Sequence, residues 1–196
     1  VTTRSRFLYR VKKFIIEQQM KPEFLGNAHR KPIFRQVLPS IYLLVNESYQ
    51  SQQDLSIRKD LLNQSMYLCK LLIDNSSTGF SEVFAAMALM CFHASRIESR
   101  VTEDGSLILL ADQDRSLWTQ ELINHGLQYL SKSSIEAYVT SYHFEAAIAY
   151  EHCSSKTIED TDWVRILSYY DGLLALHPSA VTALNRFIVF YKVHGF

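Results

Sequence analysis

The sequence has few of the residues that define several protein classes. Its 196 residues include three cysteines, six glycines and four prolines, and its formal net charge is zero. The cysteines are odd in number and share no CxxC spacing, which argues against a disulfide scaffold and fits a reducing compartment. The longest apolar run, residues 84–92, is about half the length that a membrane span needs. We therefore expect a cytoplasmic globular protein that has no membrane partner.

The residues that are present favour one folded domain with an uneven distribution of charge. Apolar residues make up 47% of the chain, which at this length is enough for a sizeable core. Residues 1–35 hold nine lysines and arginines against two glutamates, whereas the other 161 residues hold 11 basic and 18 acidic groups. A basic head on an acidic body indicates two different partners. Since the chain opens at Val1 within a charged helical pattern, we expect it to be a fragment of a larger protein.

Apolar residues recur with helical spacing along most of the chain, and this predicts an all-α fold. We divide the chain into a basic helix within 1–20, a linker over 21–35 that holds two prolines and a glycine, and a helical body over 36–196. An Asp-Gly pair between β-favouring residues predicts one short β-hairpin near 100–110. The predicted helices of the body are 33–49, 55–75, 81–95, 115–131, 135–152, 162–176 and 179–194.

The last two predicted helices resemble one tetratricopeptide unit. Trp163, Leu167, Tyr170 and Pro178 follow the spacing of that helix-turn-helix repeat. The earlier helices do not repeat the pattern clearly. We therefore predict antiparallel helical hairpins arranged as a tetratricopeptide-like solenoid or an irregular bundle.

Residue patterns typical of catalysis and metal binding are missing. The seven histidines are scattered without an HExxH arrangement, no GxSxG motif is present, and the glycines occur singly rather than in a phosphate-binding loop. Cys69 and Cys91 lie within apolar helical faces, where they are most simply core residues. We expect no catalytic residue, no metal and no cofactor, and hence no enzyme. An enzyme that uses Asp112 and Asp114 as paired carboxylates is kept as a hypothesis.

The most unusual polar segment follows the predicted hairpin. Asp112, Asp114, Arg115 and Trp118 fall within seven residues. Acidic side chains at a helix N-terminus favour the positive end of the helix dipole, and Asp114 is placed to cap the helix. A role in binding is the alternative, and the sequence leaves both interpretations open.

Two further polar pairs lie within predicted apolar helices. His143 and Glu145 open an alanine-rich helix, and Asn185 and Arg186 interrupt the last helix. Polar groups that are buried in such helices must be paired. These residues therefore either pair with one another as a structural network or line a groove.

Six short blocks resemble, in the same order, the C-terminal extension of a group of bacterial sigma factors. These are RNA polymerase sigma factors of the extracytoplasmic-function type with a tetratricopeptide-like helical tail. Ser48 and Phe187 depart from the family patterns, which have Gly and Ala at those places. The blocks are 42–49 (family pattern YLxFNEGY), 107–118 (LLxDQDRxxW), 142–152 (YxxxAAIAAxH), 159–163 (EDTDW), 170–174 (YDxLL) and 178–187 (PSPVVxLNRA).

The basic head resembles the end of sigma region 4. Residues 3–13 are similar to the pattern VKSRLxRAKxxL of the recognition helix, which in that family contacts the −35 promoter element. By this resemblance Arg4, Arg6, Arg10 and Lys12 are candidates for contact with DNA phosphates or bases. The first part of that helix-turn-helix and region 2 are missing from the sequence. We therefore expect this chain alone to bind DNA weakly, with an affinity that falls steeply with salt.

The resemblance implies a C-terminal regulatory and interaction domain of a sigma factor that acts in transcription initiation. Its partners would be core RNA polymerase and promoter DNA, through the full-length parent chain, and sigma region 4 is a candidate intramolecular contact. The alternative is an all-helical protein-interaction scaffold that is not tied to transcription, and the oligomeric state is open. The residues expected to form a partner-binding surface or a structural polar network are Asn46, Glu47, Asp112, Asp114, Arg115, Trp118, His143, Glu145, Asn185 and Arg186.

Overall fold

The computed structural model describes residues 27–50, 55–75, 80–102, 106–135 and 138–195. Within these ranges the chain forms seven α-helices, and each helix packs against the next one along the chain. The predicted all-α fold of helical hairpins is therefore confirmed. The helices are α1 (Asn27–Gln50), α2 (Leu55–Asp74), α3 (Ser81–Ser95), α4 (Gln120–Ser133), α5 (Ser141–Ser154), α6 (Trp163–Leu176) and α7 (Ala180–His194).

Three helices begin more than one residue away from their predicted starts. Helix α1 begins at Asn27 and so covers part of the predicted linker; Pro32 removes one backbone hydrogen bond within this helix, and the helix continues through it. Helices α4 and α5 begin later than predicted, at Gln120 and Ser141. Before α4 the segment Arg115–Leu117 forms a single 3₁₀ turn, since its side chains take part in the contacts described below.

Helix α3 lies at the centre of the fold. It packs against α1, α2, α4 and α5, and twelve of its fifteen residues are buried. Its alanine side chains are small, so the neighbouring helices approach its backbone closely. Phe92 is fully buried against α4, where a Cβ on Gly126 would come about 2.5 Å from the phenyl ring. This close approach explains a glycine in the interior of α4.

Helices α3 and α5 run side by side in the same direction. Ser81 Oγ lies 3.2 Å from His143 Nε2 near the start of both helices, and Ser95 Oγ lies 3.9 Å from Cys153 Sγ near their ends. The two helices are thus the first members of successive hairpins, which is the arrangement of a helical solenoid.

The last two helices form a smaller cluster against α5. Ile148, Ile166, Leu173 and Val189 are buried there. Helix α6 is capped by Asp162, whose Oδ1 accepts a hydrogen bond from the Arg165 backbone N–H at 2.9 Å. Helix α7 is likewise capped by a serine and is followed by a glycine with a φ of 69°, a conformation that favours glycine.

The predicted β-hairpin is present as one antiparallel bridge between Val101 and Leu107. The Ile108 backbone N–H donates to the Arg100 carbonyl at 2.8 Å, and the Thr102 N–H donates to the Ser106 carbonyl at 2.9 Å. The pairing extends no further into a strand within the described part of the chain. None of the helices in the described ranges is long and apolar enough to cross a membrane.

Candidate functional site

The acidic residues of the segment after the bridge face outward. Asp114 caps the 3₁₀ turn, because its Oδ1 accepts from the Ser116 backbone N–H at 2.9 Å and from the Ser116 hydroxyl at 2.7 Å. These two hydrogen bonds lower the pKa of the Asp114 carboxyl. Asp112 is also exposed. The structure thus gives Asp114 the capping role that the sequence left as one of two alternatives.

Arg115 points inward and joins this segment to the end of α5. Its Nη1 donates to the carbonyls of His152 at 2.8 Å and Ser155 at 2.7 Å. A guanidinium at this place complements the negative end of the helix dipole and satisfies carbonyls that have no partner within the helix. Arg115 therefore fixes the position of the connection between α3 and α4 relative to α5.

Trp118 is the aromatic centre of the same segment. Its side chain is buried, and the indole Nε1 donates to Ser99 Oγ at 2.8 Å. The guanidinium carbons of Arg115 and Arg96 lie over the indole, 4.4 Å and 5.7 Å from its centroid. An indole face attracts cations, so Trp118 helps to hold two like charges close together.

A groove of about 310 Å³, which we call the central groove, opens beside this stack. Four helices line it, namely α3, α5, α6 and α7. One part of the lining is apolar and the other is polar, as is typical of a site that binds a small ligand or part of a larger one. Its lining residues are Leu89, His93, Arg96, Glu145, Ile148, Ala149, His152, Tyr170, Leu173, Thr182 and Asn185.

The two histidines of the central groove are neutral at pH 7. The pKa of His152 is lowered to about 4, mainly by burial and further by Arg96 and Arg115. Burial and the nearby Arg96 and Arg100 hold the pKa of His93 well below its ordinary value. The positive charge at this end of the groove is therefore carried by arginine.

Glu145 provides the acidic group of the central groove. Its Oε2 accepts a hydrogen bond from the hydroxyl of Tyr42 in α1 at 2.6 Å. Burial raises the pKa of Glu145, and the Tyr42 hydrogen bond opposes that shift. Burial together with Glu145 also raises the pKa of Tyr170, which lines the groove on α6.

His143 has a structural position outside the groove. Its Nδ1 accepts from the Thr140 backbone N–H at 3.1 Å, which completes a capping box at the start of α5. Since Nδ1 is an acceptor, the ring proton lies on Nε2, which is 3.3 Å from the Ser133 carbonyl and 3.2 Å from Ser81 Oγ. His143 therefore ties together α3, α4 and α5.

The ten residues expected to share a surface or a network are divided among several places. Glu145 and Asn185 line the central groove, with Arg115 and Trp118 behind it. Arg186 forms an ion pair with Asp171 at 2.5 Å, which joins α7 to α6. Asn46 and Glu47 lie on α1 away from the groove, and Asp112 and Asp114 face solvent. The four proposed DNA contacts lie outside the described residues: Arg4, Arg6, Arg10 and Lys12.

The site residues predicted from the sequence omit five polar members of the central groove, namely His93, Arg96, His152, Tyr170 and Thr182. A signal for Arg96 was present, because it follows directly after an apolar helix whose residues are almost all buried. His93 has no comparable signal, since it lies within an ordinary helical pattern, whereas His152 and Tyr170 fall within blocks that resemble the sigma-factor extension. Among the described residues no group of three or more His, Cys, Asp or Glu side chains could hold a metal ion. Burial raises the pKa of both Cys69 and Cys91 to about 12, which leaves them unreactive thiols.

Comparison with known proteins places residues 34–134, slightly more than half of the chain, within a family of unknown function, DUF6596. The uncharacterized protein R00370 of Rhizobium meliloti (strain 1021) is 32% identical to this chain over 160 residues. That alignment covers 81% of this chain and 38% of the Rhizobium protein, so the chain spans about two fifths of the length of this relative. No solved structure matches the chain significantly.

Proposed function

The chain belongs to the DUF6596 family of unknown function, and we propose that it is the C-terminal regulatory and interaction module of a bacterial sigma factor in transcription initiation. In this proposal the basic head is the end of sigma region 4, and core RNA polymerase and promoter DNA are partners of the full-length chain. The helical body is the part that controls whether the promoter-binding domains are competent.

The observation that supports this proposal is the convergence of the sigma-tail blocks on one place. Arg115 and Trp118 come from the second block, and Arg115 bonds the carbonyl of His152, the last residue of the third block. The His152 ring lies 5.5 Å from the ring of Trp163 in the fourth block. Blocks that are spread along the sequence thus meet around a single feature, as expected if they serve one function.

The first block contacts a residue of the central groove, and the last block lines the groove itself. Tyr42 of the first block donates to Glu145 of the third at 2.6 Å, and Asn185 of the last block lines the central groove. A molecule bound in the groove would touch four helices at once. Its binding would favour one relative arrangement of those helices, and this is how a regulatory module biases two states.

The deciding experiment is run-off transcription with core RNA polymerase and the full-length parent of this chain. The comparison is between the parent and a truncation that lacks the body from Gln36 onward. Loss of initiation on truncation makes the body a required part of the machinery, and a gain makes it an inhibitor. Equal transcription by both proteins contradicts a regulatory role, and no initiation by the parent contradicts the sigma proposal.

Variants of the central groove extend this test without removing the body. Asn185→Ala changes a groove residue on α7, and Lys192→Ala changes an exposed residue of the same helix as its control. We expect the first variant to alter the amount of transcript and the second to leave it unchanged. If the parent protein binds neither polymerase nor promoter but captures a protein partner through its body, the alternative of a scaffold unrelated to transcription replaces the proposal.

A further inference from the structure

A buried cation of the central groove has no anionic partner among the described residues. Only 6% of the Arg96 surface is exposed, and its Nε is buried without a hydrogen-bond acceptor. Its Nη2 lies 3.4 Å from His93 Nδ1, and no carboxylate of the described residues forms an ion pair with it. A charge that is buried in this way is costly unless it is paired. Arg96 therefore has unused capacity for an anion at the wall of an open groove.

The other groups at this end of the groove do not neutralise Arg96. His93 and His152 are uncharged at pH 7, because burial and the arginines lower their pKa values. Arg115, which lies behind the groove, uses its Nη1 on two backbone carbonyls and adds to the positive field. The Arg165 guanidinium pairs with Glu151, so that carboxylate is already engaged.

The opposite end of the groove carries an acidic side chain instead of arginine. Glu145 lies two helical turns before His152 on α5, which corresponds to about 10 Å along the helix axis. Its carboxyl accepts from Tyr42, and Tyr170 is close enough for Glu145 to influence its pKa. Arg96 lies close enough to His152 to lower the pKa of that ring, so Glu145 is about two turns of α5 away from the arginine end of the groove. The residues between the two ends include the apolar Leu89, Ile148 and Leu173.

We propose that the central groove binds an organic carboxylate, with the carboxylate on Arg96 and an apolar part of the ligand against Leu89, Ile148 and Leu173. The groove volume of about 310 Å³ suits a small acid or the last one or two residues of a peptide. Both sources present the same chemistry to the protein. The inference goes beyond the proposed role in transcription and holds whether or not the chain belongs to a sigma factor.

Two pairs of probes test the proposal by direct binding. Hexanoate and hexanamide represent a free acid, and acetyl-Leu-Leu with a free carboxylate or a C-terminal amide represents a peptide end. Binding is followed by the ¹H–¹⁵N signals of Arg96 Nε and Trp118 Nε1, since Arg96 lies over the Trp118 ring. We expect saturable shifts of both signals with at least one acid, and an affinity about tenfold or more weaker for its amide.

The probes also separate the sources of the carboxylate. Preference for acetyl-Leu-Leu over hexanoate assigns the site to a peptide end, and the reverse preference assigns it to a small acid. Equal binding of an acid and its amide overturns the proposal, as does the absence of saturable shifts up to about 10 mM, a concentration well above the dissociation constants of ordinary specific sites. Inorganic phosphate that binds as well as the acids would show a general anion site and contradict specificity for carboxylate.

Variants locate the site within the fold. Arg96→Gln removes the charge, and we expect it to weaken binding of the acid about tenfold or more while affinity for the amide changes little. Because Arg96 is buried, this variant is paired with one that leaves it in place. Thr182→Phe fills the groove from α7, whereas Val181→Phe adds the same bulk at an adjacent exposed position. Loss of binding in the first and retention in the second is expected, and equal affinities would place the ligand elsewhere.

Discussion

Helices α3 and α7 are both fifteen residues long and both rich in apolar side chains, yet they are buried to very different extents. Twelve residues of α3 are buried, whereas Val189 is the single buried residue among the fifteen described residues of α7. Helix α3 has neighbours on several sides, and α7 packs chiefly against α6. Apolar content therefore does not determine burial; the number of neighbouring helices does.

The side chains on the exposed face of α7 show the same contrast with α3. A helix on the surface usually carries polar side chains on the face that points away from its neighbours. Helix α7 instead exposes apolar side chains, and Val181 alone is 69% exposed. The exposed apolar residues of α7 are Val181, Leu184, Phe187, Ile188, Phe190 and Tyr191. The stability of the chain is thus concentrated around α3, and the following predictions test that distribution from the largest effect to the smallest.

Replacing a phenylalanine should matter far more on α3 than on α7. Phe92→Ala removes a fully buried ring from α3 and leaves a cavity, so we expect the free energy of unfolding to fall by about 3–5 kcal/mol. Phe187→Ala removes an exposed ring from α7, and we expect a change within about 1 kcal/mol. Urea unfolding of both variants measures the difference. Equal losses would mean that the face of α7 is covered in solution.

Acid should destabilise the centre of the fold. The folded-state pKa of His152 is about 4, below the ordinary value near 6.5, so the folded chain binds fewer protons than the unfolded chain. Its contribution, about 3 kcal/mol, is complete above pH 6.5 and is lost as the pH falls toward 4. His93 acts in the same direction, whereas Glu145 opposes it, because burial raises the pKa of that carboxyl.

The histidine contribution is measured by urea unfolding at several pH values. His152→Gln should flatten the profile between pH 4 and pH 6.5. His194→Gln changes an exposed residue at the end of α7 and should retain the profile of the unmodified protein. A profile that His152→Gln leaves unchanged would show that the pKa of His152 is the same in the folded and the unfolded chain.

Two arginines provide a comparison of buried and exposed contacts. Arg115→Ala leaves the carbonyls of His152 and Ser155 without their donor, and we expect a loss of about 2–3 kcal/mol in stability. Arg186→Ala breaks an ion pair with the exposed Asp171 on the outer helices, and we expect a loss of about 1 kcal/mol or less. Thermal unfolding ranks the two variants. The reverse order would contradict the assignment of Arg115 as the contact that holds α5.

The Asp114 cap should have the smallest effect. Asp114→Ala removes the acceptor for Ser116, with a small expected cost in stability. Asp114→Ser retains an acceptor and should recover most of that cost, while Asp112→Ala serves as an exposed acidic control. If Asp114→Ala abolishes transcriptional output without lowering the melting temperature, Asp114 acts in regulation rather than as a cap.

Helices with strong periodic patterns could be predicted from the sequence. The predicted range 81–95 is that of α3, and the predicted starts of α6 and α7 lie within one residue of the observed ones. The start of α4 could not be predicted, since it depends on where Arg115 finds its acceptors. Those acceptors are carbonyls nearly 40 residues further along the chain, and no local pattern reports them.

The residues of the candidate site likewise include some that the sequence indicated and some that it did not. The sequence singled out Trp118, Glu145 and Asn185 because polar or aromatic residues stood out in otherwise simple segments. It did not single out Arg96 as a groove residue. An arginine beside a helix end is ordinary in sequence, and its burial follows from the packing of Trp118 and of α5 against α3. The sequence could thus indicate which side chains are unusual in their segments, but it could not predict that packing would bury Arg96.

The hydrogen bonds of Arg115 also have a consequence for how the molecule opens. They join segments 37 and 40 residues apart, so α5 cannot separate from the connection between α3 and α4 without breaking both hydrogen bonds. The pair α6 and α7 is held mainly by contacts between neighbours in sequence, which do not require the rest of the fold to be intact. Amide protons of α7 should therefore exchange with solvent through a local opening, long before those of α3, which exchange only when the whole unit unfolds.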